Sequence, residues 1–386
     1  MNFSLLQIQL LAVAAGAWIL RHAFLRSAPS PTAAGAIVMA IGIFGLVVFR
    51  HDAAIPAIPT AAAQPFTIGL LVIWGFIAAS YAESWRQGRT AVHTVSPIDS
   101  FAIGTWVAGT AVTARMVVLG VPHWEVLALA LAIVAFALWL WYVRFVIRGA
   151  RAIISSRDRL RATGRILLAT VSTQSLVLIA WDLFPESDFL RAPAVGLMVL
   201  GFLLYGVGFV LIVQRYWREP RWSLSEDWDN TNCIVHGAMS ISGLAAVQTG
   251  LMPEIVGIAT WLYVLLAFLA VEIVEIVRAT LRVRRHGLRK GILTYHASQW
   301  SRNFTFGMFC AFTIAVAPAL KVQSVLSPLV PVVDGVIVYG PYVVLLFLLL
   351  ECGLWVSANA HSTTFSVLLS ARASDRAGQP GDGEQR

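Results

Sequence analysis

Long apolar segments separated by short polar ones recur along the whole chain. Each segment has helical length, and about 20 apolar residues in a helix cross a hydrocarbon layer of roughly 30 Å. The pattern predicts eleven such segments. Their bounds are A, Leu5–Leu20; B, Ala33–Phe49; C, Phe66–Ala82; D, Ser100–Leu119; E, Glu125–Val146; F, Ile166–Phe184; G, Val195–Val213; H, Asn232–Gly250; I, Ile255–Val277; J, Phe304–Leu320; and K, Val332–Val356.

The segments predict an all-α integral membrane protein in three parts. Residues 1–32 form an extra N-terminal transmembrane helix and loop, residues 33–361 a ten-helix transporter or channel domain, and residues 362–386 a cytoplasmic tail. The tail is polar and rich in glycine, a composition that predicts disorder. Segment A lacks the Lys/Arg that opens a signal peptide, and Arg21 and Arg26 follow it, so we expect it to be retained.

The composition excludes several classes of protein. Of the 386 residues, 58% are hydrophobic and 12% are charged, whereas a soluble domain carries about a quarter charged residues. A nucleic-acid binder, a secreted disulfide scaffold and most soluble enzymes are therefore excluded. Cys233, Cys310 and Cys352 have no metal-ligand spacing, and the chain contains no phosphate loop, nucleophile elbow or HExxH motif. We expect neither an enzyme nor a protein with a bound metal or cofactor.

The positive charges alternate between connections. The net charge is +8, with runs of arginine in E–F and I–J, whereas D–E and H–I hold no Lys or Arg. All the basic connections fall on one side only if there are eleven spans. Because cytoplasmic loops carry excess Lys/Arg, this pattern predicts an external N-terminus and a cytoplasmic C-terminus in the cell membrane.

Polar side chains concentrate in segments D, F, H and J, whereas E and G are apolar and rich in aromatic residues. Polar groups avoid lipid, so the alternation predicts helical hairpins with one inner and one outer member. The inner members would surround a polar conduit. Its candidate lining residues are Thr105, Thr110, Thr170, Ser172, Thr173, Gln174, His236, Ser240, Ser242 and Thr305. Alternatively, each hydroxyl bonds to helix carbonyls or neighbouring helices.

The charges of the inner segments favour an anion as the transported partner. D, F, H and J contain no carboxylate in their middles, and Asp182 lies only at the outer end of F. Hydroxyls and amides donate hydrogen bonds to an anion without repelling it. Arg115 lies near the outer end of D, and three roles are considered for it. It attracts anions to the outer opening of the conduit, it extends to the membrane interface, or it pairs with Asp182.

Other membrane-embedded polar residues have two interpretations each. Glu272 and Glu275 lie one turn apart on segment I, and they either neutralise Arg278 and Arg282 or carry a proton. Glu351 in segment K is a further protonatable candidate. His236 is either a hydrogen-bonding side chain or a ligand of a metal or redox centre.

Three stretches resemble a known family. SQWSRNFTFGMFCAF (298–312) looks like the ninth-helix signature of the slow-type anion channel / tellurite-resistance and C4-dicarboxylate transporter family. SPIDSFAIGTWVAGT (96–110) is similar to its third helix, and NCIVHGAMSISGLAA (232–246) to its seventh. The chain departs from the family pattern at Gly307, where proline is usual, and at Ser96, where histidine often stands.

The resemblance implies five hairpins around a central pore, usually in a trimer, with B, D, F, H and J inside. In the family a ninth-helix aromatic ring closes the pore. Here it maps to Phe306, with Phe304 as the near alternative and packing as the other interpretation. An apolar ring across a narrow bore stops a hydrated anion.

Three functions are therefore considered. The first is passage of an inorganic anion or small carboxylate through a Phe-gated pore. The second is a proton-coupled transporter of C4-dicarboxylates or toxic oxyanions, in which Glu351 or Glu272 carries the proton. The third is a membrane redox or metal protein that uses His236.

Overall fold

The computed structural model describes residues 30–50, 55–155, 162–185, 187–218 and 222–377, with side chains through residue 359, together with Val13, Ala15 and Gly16. Over these residues there is no strand. Ten long helices are numbered in chain order. They are α1 Gly35–Arg50, α2 Ala63–Arg86, α3 Gly104–Gly120, α4 Glu125–Ser155, α5 Leu168–Leu183, α6 Asp188–Arg218, α7 Ile234–Thr249, α8 Glu254–Gly291, α9 Gln299–Val322 and α10 Val330–Ala377.

Short helical pieces precede or join these helices. The 3₁₀ segments are Thr32–Ala34, Thr60–Ala62, Asp99–Ile103, Pro122–Trp124, Gly164–Leu167, Asn230–Cys233 and Ser324–Leu329, and the one-turn helices are Ala91–Thr94 and Leu224–Asp227. Gly250 ends α7 with a φ of 62°, a left-handed conformation that favours glycine.

Each predicted segment from B to K coincides with one helix, α1 to α10. The prediction of segment A falls on residues that lie almost entirely outside the described part of the chain. Helices α4 and α8 continue well beyond the predicted ends at Val146 and Val277, because the apolar run ends before the helix does. Similarly, α10 continues to Ala377, into the tail predicted to be disordered. No glycine or proline interrupts the chain between Val356 and Gly378, so nothing there breaks the helix.

The helices identify a multi-pass membrane protein. Nine helical segments among the described residues are long and apolar enough to cross a membrane, and they include every numbered helix except α7. Helix α7 is as long as α1 and α5, but His236, Ser240, Ser242 and Gln248 make it less apolar. It packs inside the bundle, where lipid does not select for a continuous apolar surface.

The ten helices form two layers. Helices α1, α3, α5, α7 and α9 each pack against the next, and α9 packs against α1, which closes a ring of five. Each even-numbered helix lies outside, in the groove between two ring helices. The most apolar windows of α1, α3, α5 and α9 are 61–83% buried, whereas those of the outer helices are 22–33% buried. The predicted alternation of inner and outer helices is therefore confirmed.

Glycines allow the ring helices to approach closely. A Cβ added at Gly237 in α7 would lie 2.1 Å from Cγ2 of Thr305 in α9, and one at Gly42 in α1 would lie 2.3 Å from Cγ1 of Val112 in α3. A Cβ added at Gly307, where the family that the sequence resembles usually has proline, would lie 2.6 Å from Cγ2 of Ile43 in α1. The small residue therefore serves the contact between α9 and α1.

Candidate functional site

A largely buried group of charged and polar side chains, of which Arg115 is the most enclosed, crosses one end of the ring. Asp182 at the end of α5 accepts hydrogen bonds from Arg115 Nε at 2.6 Å and from Arg50 Nη2 at 2.9 Å. Arg115 Nη2 also donates to Gln248 Oε1 at 2.9 Å. We call Arg50, Arg115, Asp182 and Gln248 the axial cluster. Of the alternatives for Arg115, the structure shows the pairing with Asp182.

The axial cluster lies over the centre of the ring because its bonds join helices that are not neighbours. Arg50 is on α1 and Asp182 on α5, while Arg115 is on α3 and Gln248 on α7, and neither pair of helices is adjacent in the ring. The Arg115 side chain is 3% exposed and that of Asp182 is 11% exposed. Two guanidinium groups face one carboxylate, so the cluster carries one excess positive charge.

The contacts of α9 show which of its faces points into the ring. Phe306 packs against Phe268 of α8 and Phe347 of α10, with ring centroids 5.0 Å apart in each pair. A helix turns about 100° per residue, so Phe304 and Met308 lie on nearly the opposite face. Both side chains are 1% exposed. They face the interior of the ring, whereas Phe306 lies between the ring and the outer helices.

The middle of the ring is acid-free. Among the described residues of α1, α3, α5, α7 and α9, the one carboxylate is Asp182, which belongs to the axial cluster. The side chains of Met39 in α1, Ala108 in α3 and Leu244 in α7 are at most 1% exposed. These three ring helices therefore each contribute a buried apolar side chain to the bundle.

The hydroxyl groups predicted to line a conduit bond mainly to their own helices. Thr110 donates to the Trp106 carbonyl at 2.7 Å and Thr173 to the Ala169 carbonyl at 2.8 Å. The same arrangement holds for Thr105, Ser172, Ser240, Ser242 and Thr305, which donate to carbonyls three or four residues earlier. These bonds satisfy the hydroxyl protons inside the protein.

Several of the hydroxyl oxygens also join the ring to the outer helices. The indole N–H of Trp74 in α2 donates to Thr110 Oγ1, that of Trp139 in α4 to Thr173 Oγ1, and that of Trp261 in α8 to Thr313 Oγ1, each at 3.0 Å. The same device therefore fastens three outer helices to three ring helices. These threonines face the second layer of the bundle rather than the ring axis.

Thr170 and Gln174 also face an outer helix. Thr170 Oγ1 donates to the Gly201 carbonyl of α6 at 3.2 Å, and Gln174 Nε2 donates to the Met198 carbonyl at 3.1 Å. A Cβ at Gly201 would lie 2.2 Å from Gln174 Nε2, so glycine admits the amide to the α5–α6 contact. Both side chains therefore have a packing role here.

A second charged group lies between the ring and α8. Glu275 accepts from Arg302 Nη2 at 2.6 Å, from Trp228 Nε1 at 2.8 Å and from Arg278 Nη1 at 3.2 Å. We call Glu275, Arg278, Arg302 and Trp228 the interlayer cluster. The predicted pairing of Glu275 with Arg278 is confirmed, whereas Arg282 pairs with Glu226 at 3.9 Å. Sequence reasoning missed Arg302 because it lies 27 residues after Glu275 on another helix.

His236 and Glu272 lie beside the interlayer cluster. His236 Nε2 is 3.7 Å from Glu272 Oε1, beyond hydrogen-bond distance, and neither nitrogen of this fully buried ring has a hydrogen-bond partner. Its ring packs edge-to-face on Phe268, 5.0 Å away. Glu351 in α10 also has a buried carboxylate oxygen without a hydrogen-bond partner. No group of three or more His, Cys, Asp or Glu suited to a metal occurs within the described residues.

Sequence comparison assigns no family. No family model matches the chain, and no curated protein matches it significantly. The resemblance found in the three sequence stretches therefore stays a prediction.

Proposed function

We propose that the protein passes small anions across the membrane along the axis of the five-helix ring, as in the anion-channel and dicarboxylate-transporter family that its sequence resembles. The observation that carries this proposal is the charge along that axis. The axial cluster has one excess positive charge, and no carboxylate faces the middle of the ring among the described residues. A cation would meet fixed positive charge without compensation.

The gate in this proposal is Phe304 rather than Phe306. Phe304 and Met308 face the ring interior, where an apolar layer excludes water and blocks an ion that would lose its hydration. Phe306 contacts α8 and α10 instead. The predicted lining threonines take a packing role, and the anion meets Arg115 and Gln248 at the ring mouth.

The orientation in this proposal follows from the connections between helices. Arg144, Arg148 and Arg151 lie in the last turns of α4, and Arg282, Arg285 and Arg289 lie in the last turns of α8, at the same end of the bundle, which we call the basic end. The axial cluster lies at the other end. Cytoplasmic loops carry excess Lys/Arg, so the basic end faces the cytoplasm and the axial cluster faces outward. The homotrimer stays an implication of the family resemblance.

Anion flux into liposomes tests the gate. Phe304→Ala opens the apolar layer, so the initial rate of chloride or nitrate flux should rise at least tenfold over that of the natural protein. Phe306→Ala is the matched control, because it removes the same ring from the outer face of the same helix. Equal rates for the two variants, with both proteins folded, would contradict a gate at Phe304.

A second candidate function is proton-coupled transport of a small carboxylate or oxyanion. The close approach of His236 and Glu272 favours it, because both groups exchange protons, and neither ring nitrogen of His236 nor Oε1 of Glu272 has a hydrogen-bond partner. Succinate uptake that follows an imposed pH gradient and is lost in Glu272→Gln or Glu351→Gln would support coupling. Uptake that does not depend on the pH gradient would contradict proton coupling and favour uncoupled passage of the anion.

A further inference from the structure

A buried histidine on the ring lies opposite a carboxylate on an outer helix. The His236 side chain of α7 is 0% exposed, and its Nε2 is 3.7 Å from Oε1 of Glu272 in α8. Neither nitrogen of the imidazole has a hydrogen-bond partner, and neither does Oε1 of Glu272. Buried polar atoms are nearly always paired, so three unpaired atoms at one contact indicate that the pair has a second arrangement.

A proton strengthens the attraction between the two groups. The neutral imidazole carries no charge, whereas the imidazolium is positive and donates hydrogen bonds from both nitrogens. A charge-assisted bond from Nε2 to Glu272 would shorten their separation from 3.7 Å to about 2.8 Å. The Glu272 side chain is 17% exposed, so its carboxylate is the less enclosed group and relays the proton to the imidazole.

The charges around His236 are balanced while its ring is neutral. Glu272 and Glu275 of α8 offset Arg278 of α8 and Arg302 of α9. The other titratable side chains on or beside the elements packed here are Cys233 one turn earlier on α7, Tyr205 of α6, Glu351 of α10, which interacts with Arg302, and Asp182, which lies at the opposite end of α5. A proton on His236 therefore adds one positive charge to a balanced group.

His236 also adjoins the segment of α9 that carries Phe304. Its ring lies edge-to-face with that of Phe306, with centroids 6.2 Å apart. The next residue, Gly237, approaches α9 so closely that an added Cβ would lie 2.1 Å from Cγ2 of Thr305. A movement of His236 toward α8 therefore changes the contacts on both sides of Thr305, directly after Phe304 in the chain.

The same segment of α9 holds another unpaired polar group. The Asn303 side chain is 1% exposed, and neither its amide oxygen nor its amide nitrogen has a hydrogen-bond partner. A buried amide without partners is costly. This independent observation indicates that the start of α9, like the His236–Glu272 pair, has a second arrangement.

We propose that the His236–Glu272 pair is an acid-sensitive switch of the anion path. A proton on His236 closes the pair, draws α7 toward α8 and loosens the contact of Gly237 with Thr305, so that Phe304 leaves the ring interior. The inference rests on the proposed passage of anions with a gate at Phe304, and it gives the proton a regulatory role instead of a transported one. Passage increases as the pH falls, because histidine is neutral above its titration range and charged below it.

Chloride flux into liposomes with the same pH on both sides tests the switch, because no pH gradient then drives coupled transport. The initial rate of the natural protein should rise about tenfold from about pH 8 to pH 5, the lower end of what a charge-assisted hydrogen bond contributes. His236→Gln, which takes up no proton, should hold the low rate at both pH values, and Glu272→Gln should reduce the rise. His286→Gln is the matched control, because His286 is 34% exposed and pairs with Glu226, and it should keep the rise.

Solid-state ¹⁵N NMR of the histidine-labelled protein measures the protonation without any flux. The His236 signal, assigned by its loss in His236→Gln, should change from neutral imidazole to imidazolium as the pH falls over the same range. A signal that stays neutral overturns the proposal, whatever the flux.

The Phe304→Ala protein separates this inference from the proposed function. Its flux should be high and independent of pH, because its gate is already removed. If it conducts chloride while the natural protein has the same flux at both pH values, the switch is contradicted and anion passage stands. If neither protein conducts, both are contradicted. Flux that follows a pH gradient but not the pH itself contradicts the switch and favours proton coupling.

Discussion

The two buried charge clusters of this protein differ in position and in balance. In the interlayer cluster and beside it, Glu272 and Glu275 face Arg278 and Arg302, so the charges cancel, and the group fastens α8 to the ring. The axial cluster crosses the ring and, counted over the described residues, holds one more positive charge than negative. A balanced cluster between layers stabilises the fold, whereas an unbalanced cluster over the axis attracts a ligand of opposite sign. We expect the two to respond differently to mutation.

The largest effect on stability is expected in the interlayer cluster. Glu275→Gln leaves the guanidinium groups of Arg302 and Arg278 without their carboxylate. Removing one partner of a buried ion pair costs about 3 kcal/mol or more, so the free energy of unfolding in detergent should fall by about that amount. Glu272→Gln is the matched control one turn earlier, since Glu272 makes no close ion pair. Equal losses in the two variants would show that the tight pairing of Glu275 carries no special stability.

The charge of the axial cluster should set the rate of anion flux. In the Phe304→Ala background, Asp182→Asn raises the excess charge from one to two, and Arg115→Gln lowers it to zero. A unit charge a few ångströms from an ion in a partly buried site is worth at least about 1.4 kcal/mol, which corresponds to roughly tenfold in rate. We therefore expect flux to increase in the order Arg115→Gln, unchanged cluster, Asp182→Asn. The initial rate of chloride flux into liposomes measures this order. Any other order would show that the charge of the axial cluster does not set the rate of flux.

The smallest effect is expected where threonine joins the two layers. Thr110→Val removes the acceptor of the Trp74 indole N–H while keeping the side-chain shape, so the unfolding free energy should fall by about 1 kcal/mol. Flux should not change, because this hydroxyl does not face the ring axis. Thr280→Val is the control, since the Thr280 hydroxyl is exposed and bonds only to its own helix. A large loss of flux in Thr110→Val would contradict this and would show that the Thr110 hydroxyl lines the conduit.

Much of the architecture follows from the sequence. Apolar runs predict all ten described long helices, because each run must meet lipid or the bundle core. The concentration of hydroxyls identifies four of the five ring helices, α3, α5, α7 and α9, before any coordinates are known, whereas α1 carries no hydroxyl and is placed inside only by the family resemblance. A ring helix contacts protein on every side, so its own pattern distinguishes it from an outer helix but does not reveal how it is rotated.

The sequence does not show how each ring helix is rotated about its own axis, and for this reason it does not show which side chains face the centre of the ring. Phe304 and Phe306 lie in the same apolar run, and only their contacts with other helices tell the ring face from the outer face. Likewise, Arg50 reads as an isolated loop charge, although it ends α1 and reaches Asp182, 132 residues away in the chain. Pairings between distant segments depend on the closed ring, which local periodicity does not contain.

The central claim is that the excess positive charge over the ring axis selects anions. The reversal potential of the Phe304→Ala protein in a planar bilayer, under a gradient of potassium chloride, tests it most directly. The account predicts a reversal potential close to the chloride equilibrium potential, and a shift away from it in Phe304→Ala/Arg115→Gln. A reversal potential close to that of potassium would contradict the account.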